Sequence, residues 1–269
     1  MKLSFGTLGC PDWTIDEVVA RAAEYGYDGV ELRGALGEHI APEEKPAEKR
    51  RIKKLFKDAG VEIAAINAYT RFASADAAER AKQVKTLEDF IDLAAEVGSP
   101  VVRTFGGSIP EGYTREEAVA WIAEALNEVA RRAEAKGVLV ALETHDHFAT
   151  GREVADVLAE VPSKSIGVCW DFANVVDRET VEESYRPIAG RIHHVHVKDH
   201  VPADGGHKYV FVGEGRVDIR RAVELLAGEG YDRYLSLEWE KKWKPELAPP
   251  EEAFPQYLEY MRELLRNYQ

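Results

Sequence analysis

A closed parallel (β/α)8 TIM barrel, a single domain over residues 1–269, is the fold class this sequence predicts. Three observations lead to it. Short β-branched runs alternate with longer helical patterns through eight strand–helix units. The join from helix to strand repeatedly carries a glycine, at Gly26, Gly60, Gly98, Gly137 and Gly230. The length of 269 residues suits one barrel of about 250 residues, with no linker or low-complexity stretch to divide it. A doubly wound open sheet competes, but no Gly-x-Gly-x-x-Gly follows the first strand.

Taken in order, Leu3–Leu8 reads as the first strand, and Thr14 with Glu17 forms a capping box for a helix ending at Tyr25. Gly29–Arg33 is the second strand. The basic segment Ala47–Ala59 is a helix with Ile52, Leu55 and Phe56 inward, followed by strand Val61–Asn67. The long helix Asp76–Val97 precedes strand Pro100–Thr104. Thr114 and Glu117 open a helix to Ala135 before strand Val138–Glu143. Thr150 and Glu153 cap a short helix to Glu160, and Ser165–Asp171 is the sixth strand. Thr180 and Glu183 cap a further helical segment, and Ile192–Val197 is the seventh strand. Asp199–Val217 reads as a long loop, Ile219–Glu229 as a helix, Tyr234–Glu238 as the eighth strand and Glu252–Asn267 as the last helix.

Composition narrows the function. A formal charge of −13 opposes binding to nucleic acid or an anionic membrane. No stretch approaches the roughly 20 apolar residues of a membrane span. Without a signal-peptide pattern at the N-terminus, a cytoplasmic protein is expected. Cys10 and Cys169 are too far apart in sequence to suggest a disulfide framework and read as core residues.

The chemistry gathers at strand ends, because active sites of such barrels lie at the C-terminal ends of the strands. In the histidine-rich stretch Arg191–His200, alternation puts His194, His196 and Lys198 on one face and His193, Val195 and Val197 on the other. Glu143, Asp171, His196 and Glu238 close four consecutive strands, each after an apolar run. Buried carboxylates meeting there would be costly without a cation, which a divalent metal supplies. Three carboxylates and one imidazole are a mostly hard set, so one Mn²⁺ is the preferred ion, with Mg²⁺, Co²⁺ or Fe²⁺ as alternatives. Separate strand-end salt bridges are the competing explanation. His145, Asn174, Lys198, Arg103, Asn67 and Trp13 are candidate substrate contacts. Asn67, Arg103, Glu31 and Arg33 are either substrate contacts or a ring of ion pairs beneath the site, and Glu31 and Arg33, two apart on one strand, could neutralise each other. Phe72, Phe105 and Trp239 could join Trp13 in an apolar wall, and His207 with Glu214 is a remote second metal possibility. His39, His147, His193, His194 and His200 are expected to be structural or solvent-exposed.

Those four motifs, with Gly6–Trp13, Tyr27–Arg33 and Val212-Gly213-Glu214-Gly215, resemble the xylose isomerase-like barrel superfamily of sugar phosphate isomerases and epimerases over the whole chain. Similarity to its ketose 3-epimerases implies that Glu143, Asp171, His196 and Glu238 bind one metal, usually manganese. It also implies that Glu143 and Glu238 form the acid/base pair. The expected activity is metal-dependent isomerisation or epimerisation of a small sugar or related polyhydroxy carbonyl compound through a metal-bound enediolate. Homo-oligomers, dimers or tetramers, are expected as in relatives. The chain departs from those epimerases at Asn174, where they have histidine, and at Val201–Asp204, where they carry an arginine. With Lys198 beside the metal, a dehydratase or lyase acting on a keto-sugar or keto-inositol is the alternative, resembling inosose dehydratase and 3-keto-glycoside lyases. A repair endonuclease of the related barrel type would need more ligands and a basic face. A barrel that only binds a sugar would hold metal without exchanging substrate C–H protons.

Overall fold

Period-two alternation in each β-branched run gives every strand an apolar face for the helices and a second face for the barrel interior. The computed structural model describes residues 1–35 and 37–268. Its strands in chain order are β1 (Lys2–Gly6), β2 (Gly29–Arg33), β3 (Glu62–Asn67), β4 (Val101–Phe105), β5 (Leu139–Glu143), β6 (Ile166–Asp171), β7 (Ile192–Val197), β8 (Asp199–Ala203), β9 (Gly206–Val210) and β10 (Tyr234–Leu237). The helices are α1 (Ile15–Tyr25), α2 (Pro46–Ala59), α3 (Ala77–Val97), α4 (Arg115–Lys136), α5 (Gly151–Ala159), α6 (Val181–Tyr185), α7 (Ile219–Gly228) and α8 (Pro250–Leu265). Strands β1 to β7 and β10 form a closed parallel barrel, with β1 paired to both β2 and β10. The (β/α)8 expectation therefore holds.

Local chemistry accounts for the helix boundaries. Capping boxes form at Thr14, Thr114, Thr150 and Thr180, each worth about 1 kcal/mol. Asp76 caps α3 by accepting from the Ala78 and Glu79 amides. Helices α1 to α4 end on Gly26, Gly60, Gly98 and Gly137, all in the left-handed region.

One element differs from the sequence reading. The segment taken as a long loop contains an antiparallel hairpin, β8 paired with β9. Its two-residue turn is Asp204-Gly205, and Gly205 has φ 81°, the left-handed geometry that Asp-Gly hairpin turns require. Asp199 fixes the base of this excursion. It accepts the amides of Gly213, Gly215 and Val217 at 3.0, 2.8 and 3.1 Å. A β-carbon on Gly215 would lie 2.0 Å from Asp199 Oδ1, so only glycine allows this approach.

The outer strand faces, including Phe5, Leu32, Val102, Leu142, Trp170, Val195 and Leu237, join the helices in one large core. Small residues Ala65, Ala141 and Cys169 pack in a separate cluster. They leave room for the long polar side chains that fill the interior in place of the usual branched ones. Both cysteines are free and buried.

His193, on the outer face of β7, is nearly buried and donates Nε2–H to the Lys164 carbonyl at 3.1 Å. Burial, with help from Arg233 and Arg191, pushes its pKa down to about 4. An unfolded histidine titrates near 6.5, so acid favours the unfolded chain. His193's contribution is complete above pH 6.5 and is lost as pH falls towards 4. His193→Gln should therefore lose less Tm than the parent between pH 7 and pH 4.5. Parallel losses in thermal melts would contradict this assignment.

Candidate metal centre

Strands β5, β6, β7 and β10 deliver four side chains to one point. Asp171 stands level with His196 across β6 and β7, and β10 runs along the other side of β7. Glu238, one residue past β10, extends the ladder by donating its amide to the Val197 carbonyl at 3.0 Å. One donor atom each from Glu143, Asp171, His196 and Glu238 lies within 4.8 Å of the others. His196 Nδ1 is 3.5 Å from Glu143 Oε1 and 3.4 Å from Glu238 Oε1.

The other ring nitrogen explains this orientation. His196 Nε2 sits 3.1 and 3.0 Å from the two oxygens of Glu31, which also receives His194 Nε2 and Asn67 Nδ2. With Nε2–H donated to Glu31, Nδ1 faces the carboxylates, whose charges overcome burial to raise the His196 pKa well above its usual value; Nδ1 holds a proton there that a bound ion would replace. This carboxylate–histidine arrangement fixes the ligand tautomer in metal sites. Glu31 and Arg33 do not neutralise each other: Arg33 Nη2 pairs with Glu38 at 2.5 Å. Glu31 thus sits in a buried ion-pair network beneath the donors, one of the readings its strand position allowed, but its histidine partners were not foreseen. The available signal was a glutamate between Val30 and Leu32 that alternation turns inward. His194, expected as structural, joins the same carboxylate.

Electrostatics favour a cation among these residues. Both Glu143 oxygens, Asp171 Oδ2 and His196 Nδ1 are buried without a hydrogen-bond partner. Arg103 Nε approaches Glu143 Oε2 to 3.1 Å but is not aimed well enough for a hydrogen bond. Burial pushes the Glu143 pKa up, yet the charges of Arg103 and His196 outweigh it and hold the carboxyl below its usual range. Asp171, fully buried, is pushed up to about 7 by burial despite Lys198 at 2.7 Å. Lys198 also meets Glu238 at 2.5 Å, and that ammonium overcomes burial to keep Glu238 well below the carboxylate norm. Arg103, Lys198 and the protonated His196 stand against Glu31, Glu143, Asp171 and Glu238, with Glu240 at the rim 3.4 Å from Lys198. The clustered carboxylates and the unpartnered Glu143 oxygens fit a divalent ion, which would take the place of the His196 Nδ1 proton. Cys169 lies beside Glu143 and His196, but burial pushes its thiol up to about 12, which disfavours the thiolate that a metal would need.

The remaining candidates separate. Lys198 and Arg103 belong to the cluster, whereas Asn67 serves Glu31. Lys198 pairs with Glu238 and Asp171. Asn174 donates to the Thr144 carbonyl at 3.0 Å. His145 pairs with Asp146 at 3.1 Å and packs on Phe105. Trp13 is not gathered with the four donors: its ring packs edge-on against Phe254, beside a surface cavity of about 290 Å³. Phe72 is core, and Trp239 stacks on Phe211. Glu214 and His207 are exposed and belong to no ligand cluster among the described residues. Tyr209, on the hairpin, reaches Glu240 at 3.3 Å and overlies Lys198. No helix is long and apolar enough to cross a membrane among the described residues.

The sequence profile of the xylose isomerase-like TIM barrel family matches residues 19–264. A fructoselysine 3-epimerase of Shigella flexneri is 27% identical over 252 residues, covering 88% of this chain and 90% of its own. An inosose dehydratase of Yersinia enterocolitica is 24% identical over 300 aligned positions, 98% and 97% of the two chains. The crystal structure of the IOLI protein with a bound zinc atom matches with a TM-score of 0.82 at 17% identity, covering 100% of this chain and 99% of that one.

Elemental analysis of the purified protein should find about one divalent ion per chain, and Asp171→Asn or His196→Ala should remove it. Glu31→Gln should weaken ion binding by about 10–100-fold. An ion content that none of these variants changes would place the metal elsewhere.

Proposed function

The chain belongs to the xylose isomerase-like TIM barrel family, and on that footing we propose that it is a divalent-metal-dependent isomerase or epimerase of a small sugar or related polyhydroxy carbonyl compound. The observation that carries this reading is the convergence of Glu143, Asp171, His196 and Glu238, with both Glu143 oxygens left unpartnered. The relative named as a fructoselysine 3-epimerase supports it. Three carboxylates and one imidazole suit Mn²⁺ best among the hard ions.

When bound, the ion would polarise the substrate carbonyl and stabilise the charge that develops beside it. Glu143, held ionised by Arg103, accepts the proton from the carbon next to the carbonyl. Glu238, ionised at rest, passes a proton drawn from the adjacent Lys198 ammonium at 2.5 Å to the opposite face, which gives an epimer. Return of the first proton to the neighbouring carbon gives aldose–ketose isomerisation instead. Asp171 and His196 hold position, and Glu31 keeps the imidazole turned. Tyr209 and the hairpin shield Lys198 from water.

A second reading has its own observation. Lys198 is a buried ammonium inside the donor cluster, 2.7 Å from Asp171 and 2.5 Å from Glu238. It can protonate a departing hydroxyl β to the carbonyl, which makes the reaction a dehydration. A relative named as an inosose dehydratase supports this alternative.

Incubating the metal-loaded protein with ketoses, keto-acids and keto-inositols in D₂O distinguishes the two by NMR. Deuterated epimers or isomers support the first, and enones the second. Glu143→Gln and Glu238→Gln should each lower turnover by about 10²–10⁴-fold; full activity in either would exclude it from proton transfer. Lys198→Met should abolish enone formation if dehydration is the reaction.

A further inference from the structure

We infer that the barrel mouth contains an anion subsite built on Arg33, and that the substrate is a polyhydroxy carbonyl compound carrying a carboxylate or phosphate remote from its carbonyl. This rests on reading the metal centre as the place where that carbonyl is held.

Arg33 is the last residue of β2. It shares the inward face with Glu31 and lies two residues, about 6.6 Å, nearer the mouth. Its position across the sheet is level with Asn67, which is level in turn with Arg103. The wall made by β2 to β4 is therefore cationic at this height, whereas the acidic donors lie on β5, on β6 and just past β10. Arg33 is 2% exposed, and only its Nη2 is paired, with Glu38. Its Nε and Nη1 have no acceptor among the described residues.

A structural role does not account for those free N–H groups. Arg191 shows what such a role looks like in this chain, because its guanidinium donates to the carbonyls of Val161, Ser163 and Ile166. Burying a guanidinium without acceptors is costly, and oxygens from a ligand remove the cost. Charge selects the kind of oxygen. Glu38 is shared between Arg33 and Lys242, the latter at 2.7 Å, so two cations face one local carboxylate. A planar, charged fork of this kind recognises carboxylate and phosphate groups. Trp243 adds a flat wall, with its ring 5.8 Å from the Arg33 guanidinium, 5.7 Å from Lys242 Nζ and 56% exposed. Arg103 has free N–H groups too, but it faces Glu143 and belongs to the metal centre.

The test measures binding separately from turnover. Inorganic phosphate and succinate are titrated calorimetrically into the full-length protein, metal-loaded and after chelation. At least one should bind saturably in both states, and the tighter of the two identifies the anion. Arg33→Met should weaken that binding at least tenfold. Lys242→Met, at the more exposed rim, should weaken it several-fold and serves if the first variant does not fold. Absence of binding, loss of binding on chelation, or binding that neither variant changes would overturn the subsite. In D₂O exchange assays, ketoses are compared with their uronate and phosphate congeners. The ratio of kcat/KM for anionic over neutral compounds should fall at least tenfold in Arg33→Met. Equal losses on both kinds would reduce Arg33 to a structural brace and also overturn the inference. Exchange that ignores substrate charge removes the subsite but leaves the proposed activity. Arg33-dependent anion binding without exchange of any congener does the reverse.

Discussion

A carboxylate in the middle of the barrel, Glu31, is the interaction on which the interior depends. An unpaired anion at that depth would be prohibitive, and Glu31 survives by accepting from His194, His196 and Asn67. One result is chemical: the His196 ring is turned so that Nδ1 is the nitrogen facing Glu143 and Glu238. The other is spatial. The group needs volume, which Ala65, Ala141 and Cys169 provide by being small.

Lys198 occupies a position that an ion would contest. Its ammonium shares the oxygens of Asp171 and Glu238 with whatever cation enters, so charge on one side tunes charge on the other. Under the proposed reading, that competition would separate proton shuttling between carboxylates from expulsion of a hydroxyl, and Lys198 would be the residue bearing most directly on reaction type. The hairpin above it adds a dry cover, and Asp199 anchors that cover through three backbone amides.

Much of this was readable from the chain because it obeys local rules. Threonine three residues before glutamate marks helix starts, and glycine marks helix ends. Glu143, Asp171, His196 and Glu238 stand out because each interrupts an apolar run where a strand must end. Features that depend on closure were hidden. Glu31 and His194 are 163 residues apart in sequence, and nothing local to either reveals the other. Arg33 looked like a partner for Glu31 because they are two apart, yet the loop after β2 supplied Glu38. The hairpin was legible in principle through Asp204-Gly205, but its strands carry Pro202 and His207, which weaken the alternating pattern. Asn174 and Trp13 have strand-end or motif positions, but they spend their contacts on a carbonyl and on Phe254.

The donor set comes from the second half of the chain, while Glu31 comes from its beginning, across the seam where β1 joins β10. Assembly of the centre therefore waits for the last strand. A chain emerging from the ribosome can fold helices and early strands, but it has no complete ligand set until residue 238 has been placed. The binding energy of an ion held by those donors would correspondingly contribute to barrel closure, released when N- and C-terminal quarters meet. Metal supply would thus act on the last step of folding, and a starved cell would accumulate barrels that are nearly complete but loosely joined at that seam.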